Sequence, residues 1–156
     1  MADYYENRAV YNTLCSMLNR ISWKYTADDN KMLVKTTATG EDIPIELNIQ
    51  VLSDKDCVML YSRLPITVPE DKRIDAALGI TAINMYTVDG CFEFKQQTGE
   101  IFYRMTELYH GIKMTEQMLE YMLFVSCKTV DDYNDKLLML IKGIMSIEEF
   151  IKEARA

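Results

Sequence analysis

The sequence predicts an α+β fold: a helix, three antiparallel strands, a second helix, a two-stranded hairpin and long C-terminal helices. Two stretches, residues 43–51 and 92–105, alternate apolar and polar side chains with the period of two that half-buried strands show. Three other stretches carry apolar residues at helical spacing, and the strands follow one another instead of alternating with helices. This order favours antiparallel hairpins and is unlike a doubly wound parallel sheet.

Length, composition and charge predict one globular domain over residues 1–156. The chain is 49% apolar and 26% charged, and no Pro-, Ser- or Gly-rich segment interrupts it. A formal net charge of -7 repels phosphate backbones and anionic lipid, so neither nucleic acid nor membrane is an expected partner. No apolar run reaches membrane length and the first residues lack the pattern of a secretory signal, so we expect a cytoplasmic protein.

The cysteines do not form a metal or disulfide pattern. Cys15, Cys57, Cys91 and Cys127 are widely spaced, with no C-x-x-C motif and no histidine pair nearby. Free thiols of this kind fit a reducing compartment. We therefore expect no metal, no cofactor and no disulfide.

The first segment is predicted to be a helix that leads into an extended piece. Asp3 and Glu6 resemble a capping box, and apolar residues at helical spacing then continue to about Asn19. Trp23 and Tyr25 follow in a short extended piece, and residues 31–37 are rich enough in β-branched side chains to form a strand.

The next two strands form a predicted hairpin. Residues 43–51 alternate without a break, and Pro44 is expected at the start of this strand or on an edge because it lacks an N–H group. Residues 53–56 are typical of a turn, and residues 58–64 alternate again.

A second helix is predicted over residues 69–86, with Pro69 at its first position and two carboxylates near its N-terminus. One face of this helix carries Ile74, Ala77, Leu78, Thr81 and Met85.

The hairpin that follows has a predicted register. If the turn lies at Gln97 and Thr98, one register aligns two apolar pairs and one charge pair across the hairpin: Phe94 with Ile101, Phe92 with Tyr103, and Lys95 with Glu100.

The last third is predicted to be a long apolar helix over residues 115–141. A break or bend near Lys128 stays open as an alternative, because Thr129 with Asp132 fits a new cap. Gly143 ends this region, and Ser146 with Glu149 caps a short terminal helix.

Several short motifs, in this order over nearly the whole chain, resemble the YbjN family: Trp23-Lys-Tyr25, Leu64-Pro65 with Val68-Pro69, Asn84 before Gly90-x-Phe92-x-Phe94, Gly99-Glu-Ile with Tyr103-Arg104, and Gly143 with Ser146-Ile-Glu-Glu. Members of that family are proposed to be bacterial sensory transduction regulators. The resemblance implies a fold similar to type III secretion chaperones, which are small acidic cytoplasmic proteins that usually dimerise and hold partner polypeptides. It implies no catalytic residue.

Few polar residues are candidates for a catalytic, metal-binding or ligand-binding role. His110 is the only histidine, and a turn residue is favoured over a metal ligand because a ligand needs companions. The adjacent carboxylates Glu41-Asp42 and Asp131-Asp132 do not face each other as an acid/base pair would, so loops or caps are favoured. Asn84 is interpreted as an amide that bonds to the backbone where the helix meets the hairpin, with ligand binding as the alternative. We predict no enzymatic activity.

The leading functional hypothesis is a noncatalytic protein-binding or regulatory module. The alternative is a small-molecule sensor whose pocket is lined by Trp23, Phe92 and Tyr103. We expect a protein or peptide partner and a homodimer. The long C-terminal helix is expected to carry either the self-association or the partner binding, because it is apolar nearly all round and one sheet covers only one face. The rest must be covered by the chain's own 137–141 segment, by another subunit or by a client. The predicted partner-binding residues are Met118, Tyr121, Met122, Phe124 and Val125.

Overall fold

The computed structural model describes residues 4–154. Its first half contains α1 (Tyr4–Arg20), β1 (Tyr25–Asp28), β2 (Leu33–Thr39), β3 (Pro44–Leu52) and β4 (Cys57–Thr67). A short 3-10 helix (Glu70–Lys72) leads into α2 (Arg73–Asn84), which is followed by β5 (Cys91–Lys95), β6 (Glu100–Leu108), α3 (Glu116–Ile141) and α4 (Ile147–Glu153). The predicted α+β class is confirmed. The predicted cap at Asp3 lies outside the described residues.

The strands form one antiparallel sheet in the order β1-β2-β3-β4-β6-β5. Within residues 4–154, four strands precede α2, one more than the sequence predicted. The additional strand is β1, which pairs residue by residue with Leu33–Thr36 of β2. Its sequence, Tyr-Thr-Ala-Asp, carries little apolar alternation, so its pairing with β2 decides its conformation.

Two detailed predictions about the strands are confirmed. Pro44 is the first residue of β3, where its missing N–H group costs no ladder bond inside the strand. The β5–β6 hairpin has the register predicted from the sequence, which pairs Phe92 with Tyr103, Phe94 with Ile101 and Lys95 with Glu100.

The helices pack against one face of the sheet. This face carries Val34, Leu47 and Leu60, each at most 1% exposed, and α1 and α3 both contact the central strands. On the opposite face, Tyr61 and Phe102 stack with ring centroids 4.9 Å apart, and the Lys95 ammonium lies 4.3 Å from the Phe102 ring centre. The sheet is thus covered by helices on one side and by polar and stacked aromatic side chains on the other.

The buried face of α2 combines three small residues with two isoleucines. Ala76, Gly79, Ile80, Ala82 and Ile83 face the protein. A Cβ atom on Gly79 would lie 2.8 Å from Leu140 Cδ2 and 3.0 Å from the Phe150 ring, so α3 and α4 can approach closely only at glycine. The face predicted from Ile74, Leu78 and Met85 does exist, but it is turned to solvent. Pro69 precedes the 3-10 helix as its N-cap instead of starting α2.

Both C-terminal helices begin at defined caps. Thr115 accepts a hydrogen bond from the Met118 N–H, and α3 then continues without a break for 26 residues. The alternative of a break near Lys128 is therefore wrong; Lys128 instead bonds to Asp132 one turn later, at 2.7 Å. Ser146 and Glu149 form the predicted capping box of α4. Among residues 4–154, no helix has the length and hydrophobicity needed to cross a membrane.

Candidate functional site

The structure divides the predicted partner-binding residues of α3 between the core and the surface. Met122 is only 1% exposed, so the chain's own core covers it. Tyr121 and Phe124 are 54% and 47% exposed, while Met118 and Val125 are half-buried beside them. Tyr121 and Phe124 therefore form, with the margins of Met118 and Val125, the surface that we call the α3 face.

Both exposed aromatic side chains of the α3 face are held by distant parts of the chain. The Tyr121 hydroxyl donates a hydrogen bond to Asp89 Oδ2 at 2.7 Å, and this bond raises the pKa of the phenol. The Phe124 ring meets the Trp23 ring edge to face, with centroids 5.8 Å apart. Trp23 in turn donates from Nε1 to Thr36 Oγ1 at 2.7 Å. These contacts fix the orientation of the Tyr121 and Phe124 rings, although both rings are exposed.

A shallow cavity lies beside Tyr121. Its volume is about 290 Å³, and it is lined by Glu107, Gln117, Met118 and Tyr121. The methionine thioether and the tyrosine ring provide most of an apolar wall, which suits one inserted side chain of a partner.

Polar contacts anchor the start of α3 to α1. Glu116 accepts hydrogen bonds from Ser16 Oγ and from Arg20 Nε, both at 2.7 Å, and Arg20 also pairs with Glu120. These bonds lower the pKa of Glu116, and the hydrogen bond from Ser16 has a larger effect than the one from Arg20. Glu116 and Glu120 thus face α1, which leaves the side of α3 that carries Tyr121 and Phe124 exposed to solvent.

A second apolar surface lies on α2, and the sequence reasoning did not assign it a function. Ile74, Leu78 and Met85 are 71%, 51% and 74% exposed on its outer face. The signal that could have revealed it is the absence of charge: residues 76–88 contain no Asp, Glu, Lys, Arg or His. Small residues on the other face show which side packs inward.

Asn84 has the structural role that was predicted. Its side-chain Nδ2 donates to the Phe92 carbonyl at 2.9 Å, and its Oδ1 accepts from the Phe92 N–H at 2.8 Å. The amide thus reproduces the two bonds of a neighbouring strand at the outer edge of β5.

The remaining polar candidates form no reaction centre. His110 is exposed in the loop after β6, with Nδ1 3.1 Å from Asp56 Oδ2. Asp131 accepts from the Glu41 N–H at 2.9 Å, and so closes the β2–β3 loop onto α3. The Asp42 carboxyl shares a hydrogen bond with Asp135, which raises the pKa of Asp42. Within residues 4–154, no group of three His, Cys, Asp or Glu side chains is arranged to hold a metal ion.

The aromatic pocket of the sensor alternative is not formed. Phe92 and Tyr103 are at most 2% exposed and pack edge to face against each other, with ring centroids 5.3 Å apart. Trp23 contacts β2, which lies near the opposite edge of the sheet from β5 and β6. The three side chains therefore line no common cavity.

Comparisons with known proteins agree with this fold. No family model matches the sequence, and no curated protein matches it. A chain of the ExsC-ExsE complex is similar in structure, with a TM-score of 0.58 and 16% identity, over 82% of this chain and 92% of that chain. YbjN from E. coli, proposed to be a transcription regulator, gives a TM-score of 0.57 and 11% identity over 84% and 87%.

A chain of the HopA1-SchA chaperone-effector complex is also similar, with a TM-score of 0.53 and 11% identity over 91% of this chain and 97% of that chain. At these identities the likeness concerns the fold. The predicted likeness to YbjN and to the secretion chaperone fold is confirmed at that level.

Proposed function

We propose that the protein is a noncatalytic, chaperone-like module that binds a protein or peptide partner on the α3 face. The observation that carries this proposal is the pair of exposed aromatic rings, Tyr121 and Phe124, each fixed by a contact from another part of the chain. Aromatic side chains are frequent anchors of protein interfaces, and a ring that is already fixed loses less entropy on binding.

The comparisons support a protein partner over a small molecule. Two of the similar chains come from complexes, and one of these is a chaperone-effector complex. The small cavity beside Tyr121 would take one apolar side chain of the partner, while Phe124 packs against a second one. In keeping with the resemblance to YbjN, we propose a bacterial, cytoplasmic protein of regulatory type that works as a homodimer.

Partner capture with matched variants tests this function. Immobilised wild-type protein is exposed to a bacterial lysate, bound proteins are identified by mass spectrometry, and purified candidates are titrated calorimetrically. Phe124→Glu places a charge on the α3 face and should weaken binding of a genuine partner at least about tenfold. Ile144→Glu is the control, because Ile144 is 68% exposed and lies outside α3. Equal binding by wild type and Phe124→Glu would refute the assignment of the α3 face.

A further inference from the structure

The cavity beside Tyr121 has a carboxylate in its wall. Glu107 lines this cavity together with Gln117, Met118 and Tyr121. In the sheet Glu107 pairs with Val58, which is fully buried on the side that the helices cover, so the Glu107 side chain lies on that side, at the start of α3. Among the ion pairs formed by residues 4–154, none includes Glu107. The wall of an otherwise apolar cavity therefore contains a half-buried carboxylate that no side chain of the described residues neutralises.

A second carboxylate acts on the same tyrosine. Asp89 accepts the hydrogen bond of the Tyr121 hydroxyl at 2.7 Å, and it too belongs to none of the ion pairs within residues 4–154. The bond to Asp89 raises the pKa of Tyr121 most, and the charge of Glu107 adds to this effect. The exposed Tyr121 ring is thus close to two negative charges.

The cations nearest to the α3 face do not compensate these charges, because each is already paired. Arg20 contacts Glu116 and Glu120, and Lys128 contacts Asp132 at 2.7 Å. The chain as a whole carries a formal net charge of -7, so its remaining charges add to the negative potential. Charge complementarity at this cavity therefore requires a cation from a partner.

The shape and lining of the cavity favour arginine among the cationic side chains. A volume of about 290 Å³ accommodates an apolar stem beside the Met118 thioether. A planar guanidinium can stack on the Tyr121 ring and bond to the Glu107 carboxylate through two N–H groups, whereas the ammonium of lysine is compact and more strongly hydrated. A leucine or phenylalanine in the same place would cover the carboxylate and leave it without a partner, which is unfavourable.

We propose that Glu107 selects an arginine side chain of the protein or peptide partner, with its stem in the cavity and its guanidinium on the Tyr121 ring. This inference rests on the proposed function and deepens it: the side chain that enters the cavity has an apolar stem and a cationic end. Phe124 lies about 5 Å further along the axis of α3 than Tyr121. The partner segment therefore carries an apolar residue, which packs on Phe124, within a few positions of the arginine.

Selection of peptides from a random displayed library tests this preference before any partner is known. Wild-type protein should enrich peptides with an arginine close to an apolar residue. Glu107→Gln should lose the enrichment of arginine, and Glu107→Lys should enrich aspartate or glutamate in its place, because the charge of the cavity is reversed. Glu148→Gln is the matched control: Glu148 is an exposed residue of α4, and its loss changes the net charge equally, so this variant should select the same peptides as the wild type.

Calorimetric titration then measures the contribution of the arginine. A selected peptide is compared with the same peptide carrying norleucine, which keeps the apolar stem and removes the charged end. The wild type should bind the arginine peptide about tenfold more tightly, and Glu107→Gln should reduce this ratio to about twofold or less. Thermal melts establish that the variants fold, which is expected because glutamine has nearly the shape of glutamate.

The controls distinguish failure of this inference from failure of the α3 face. Peptides that lose binding to Phe124→Glu but show no preference for arginine, or an arginine preference that Glu107→Gln leaves unchanged, would overturn the role of Glu107 and retain the α3 face. If no selected peptide loses binding to Phe124→Glu, the α3 face and the role of Glu107 both fail.

Discussion

Substitution of Asn84 removes two hydrogen bonds at one position and gives a quantitative test of the junction between α2 and the β5–β6 hairpin. In Asn84→Ala, the Phe92 N–H and C=O groups lose their partners at 2.8 and 2.9 Å. Phe92 as a whole residue is 2% exposed, so water reaches its backbone poorly. Both backbone groups then carry part of the cost of an unsatisfied polar group.

The expected loss follows from these two bonds. A hydrogen bond contributes about 1 kcal/mol net, and a buried group without a partner costs about 1–3 kcal/mol. Since the edge of β5 is only half-buried, we expect a loss of about 2–4 kcal/mol in the free energy of unfolding. For a chain of this length, that lowers the midpoint of thermal unfolding by about 10 °C.

Urea unfolding followed by circular dichroism measures this loss. Asn12→Ala is the control, because Asn12 is an exposed residue of α1 and undergoes the same side-chain truncation within a helix. The control should stay within about 0.5 kcal/mol of the wild type. If Asn84→Ala also stays within that range, the side-chain bonds to Phe92 contribute nothing measurable and the reasoning fails.

Three further predictions concern the core, the α3 face and acid stability. Trp23→Ala should cost about 3 kcal/mol, because it removes a half-buried ring and the bond to Thr36; an unchanged melting midpoint would contradict this. Met122→Glu should unfold the protein or lower its midpoint sharply, since it buries a carboxylate, whereas a folded variant of normal stability would show that Met122 is accessible. The Ser146 N–H holds the pKa of Glu149 below its ordinary value of 4.5, so this cap contributes fully above that pH and is lost as the pH falls below it. In a pH series of melts, Glu149→Gln should therefore lose less stability on acidification than the wild type, and parallel curves would refute this.

The parts of the fold that were predictable depend on local patterns. The β5–β6 register was predictable because apolar pairs and the Lys95–Glu100 charge pair allow one alignment. The capping box of α4 was predictable because two residues define it. In contrast, β1 depends on pairing with β2, and its own residues give little signal.

The surfaces were harder to predict because burial depends on what packs against each helix. The periodicity of α2 identified the stripe of Ile74, Leu78 and Met85, but only the close approach of α3 and α4 at Gly79 shows that the opposite side is buried. On α3 the same limit applies: composition marked Met122 and Phe124 equally, and the fold buries the first and exposes the second.

The amide of Asn84 has a consequence for the behaviour of the protein at high concentration. An edge strand whose N–H and C=O groups are free can pair with a strand of another molecule and start aggregation. In the five-residue strand β5, Asn84 occupies the outward-facing N–H and C=O of Phe92, near the middle of that edge. A foreign strand would first have to displace this side chain. Asn84 therefore joins the helix to the hairpin and also blocks edge-to-edge pairing of β5 with another molecule. Its loss would favour aggregates even under conditions in which most molecules remain folded.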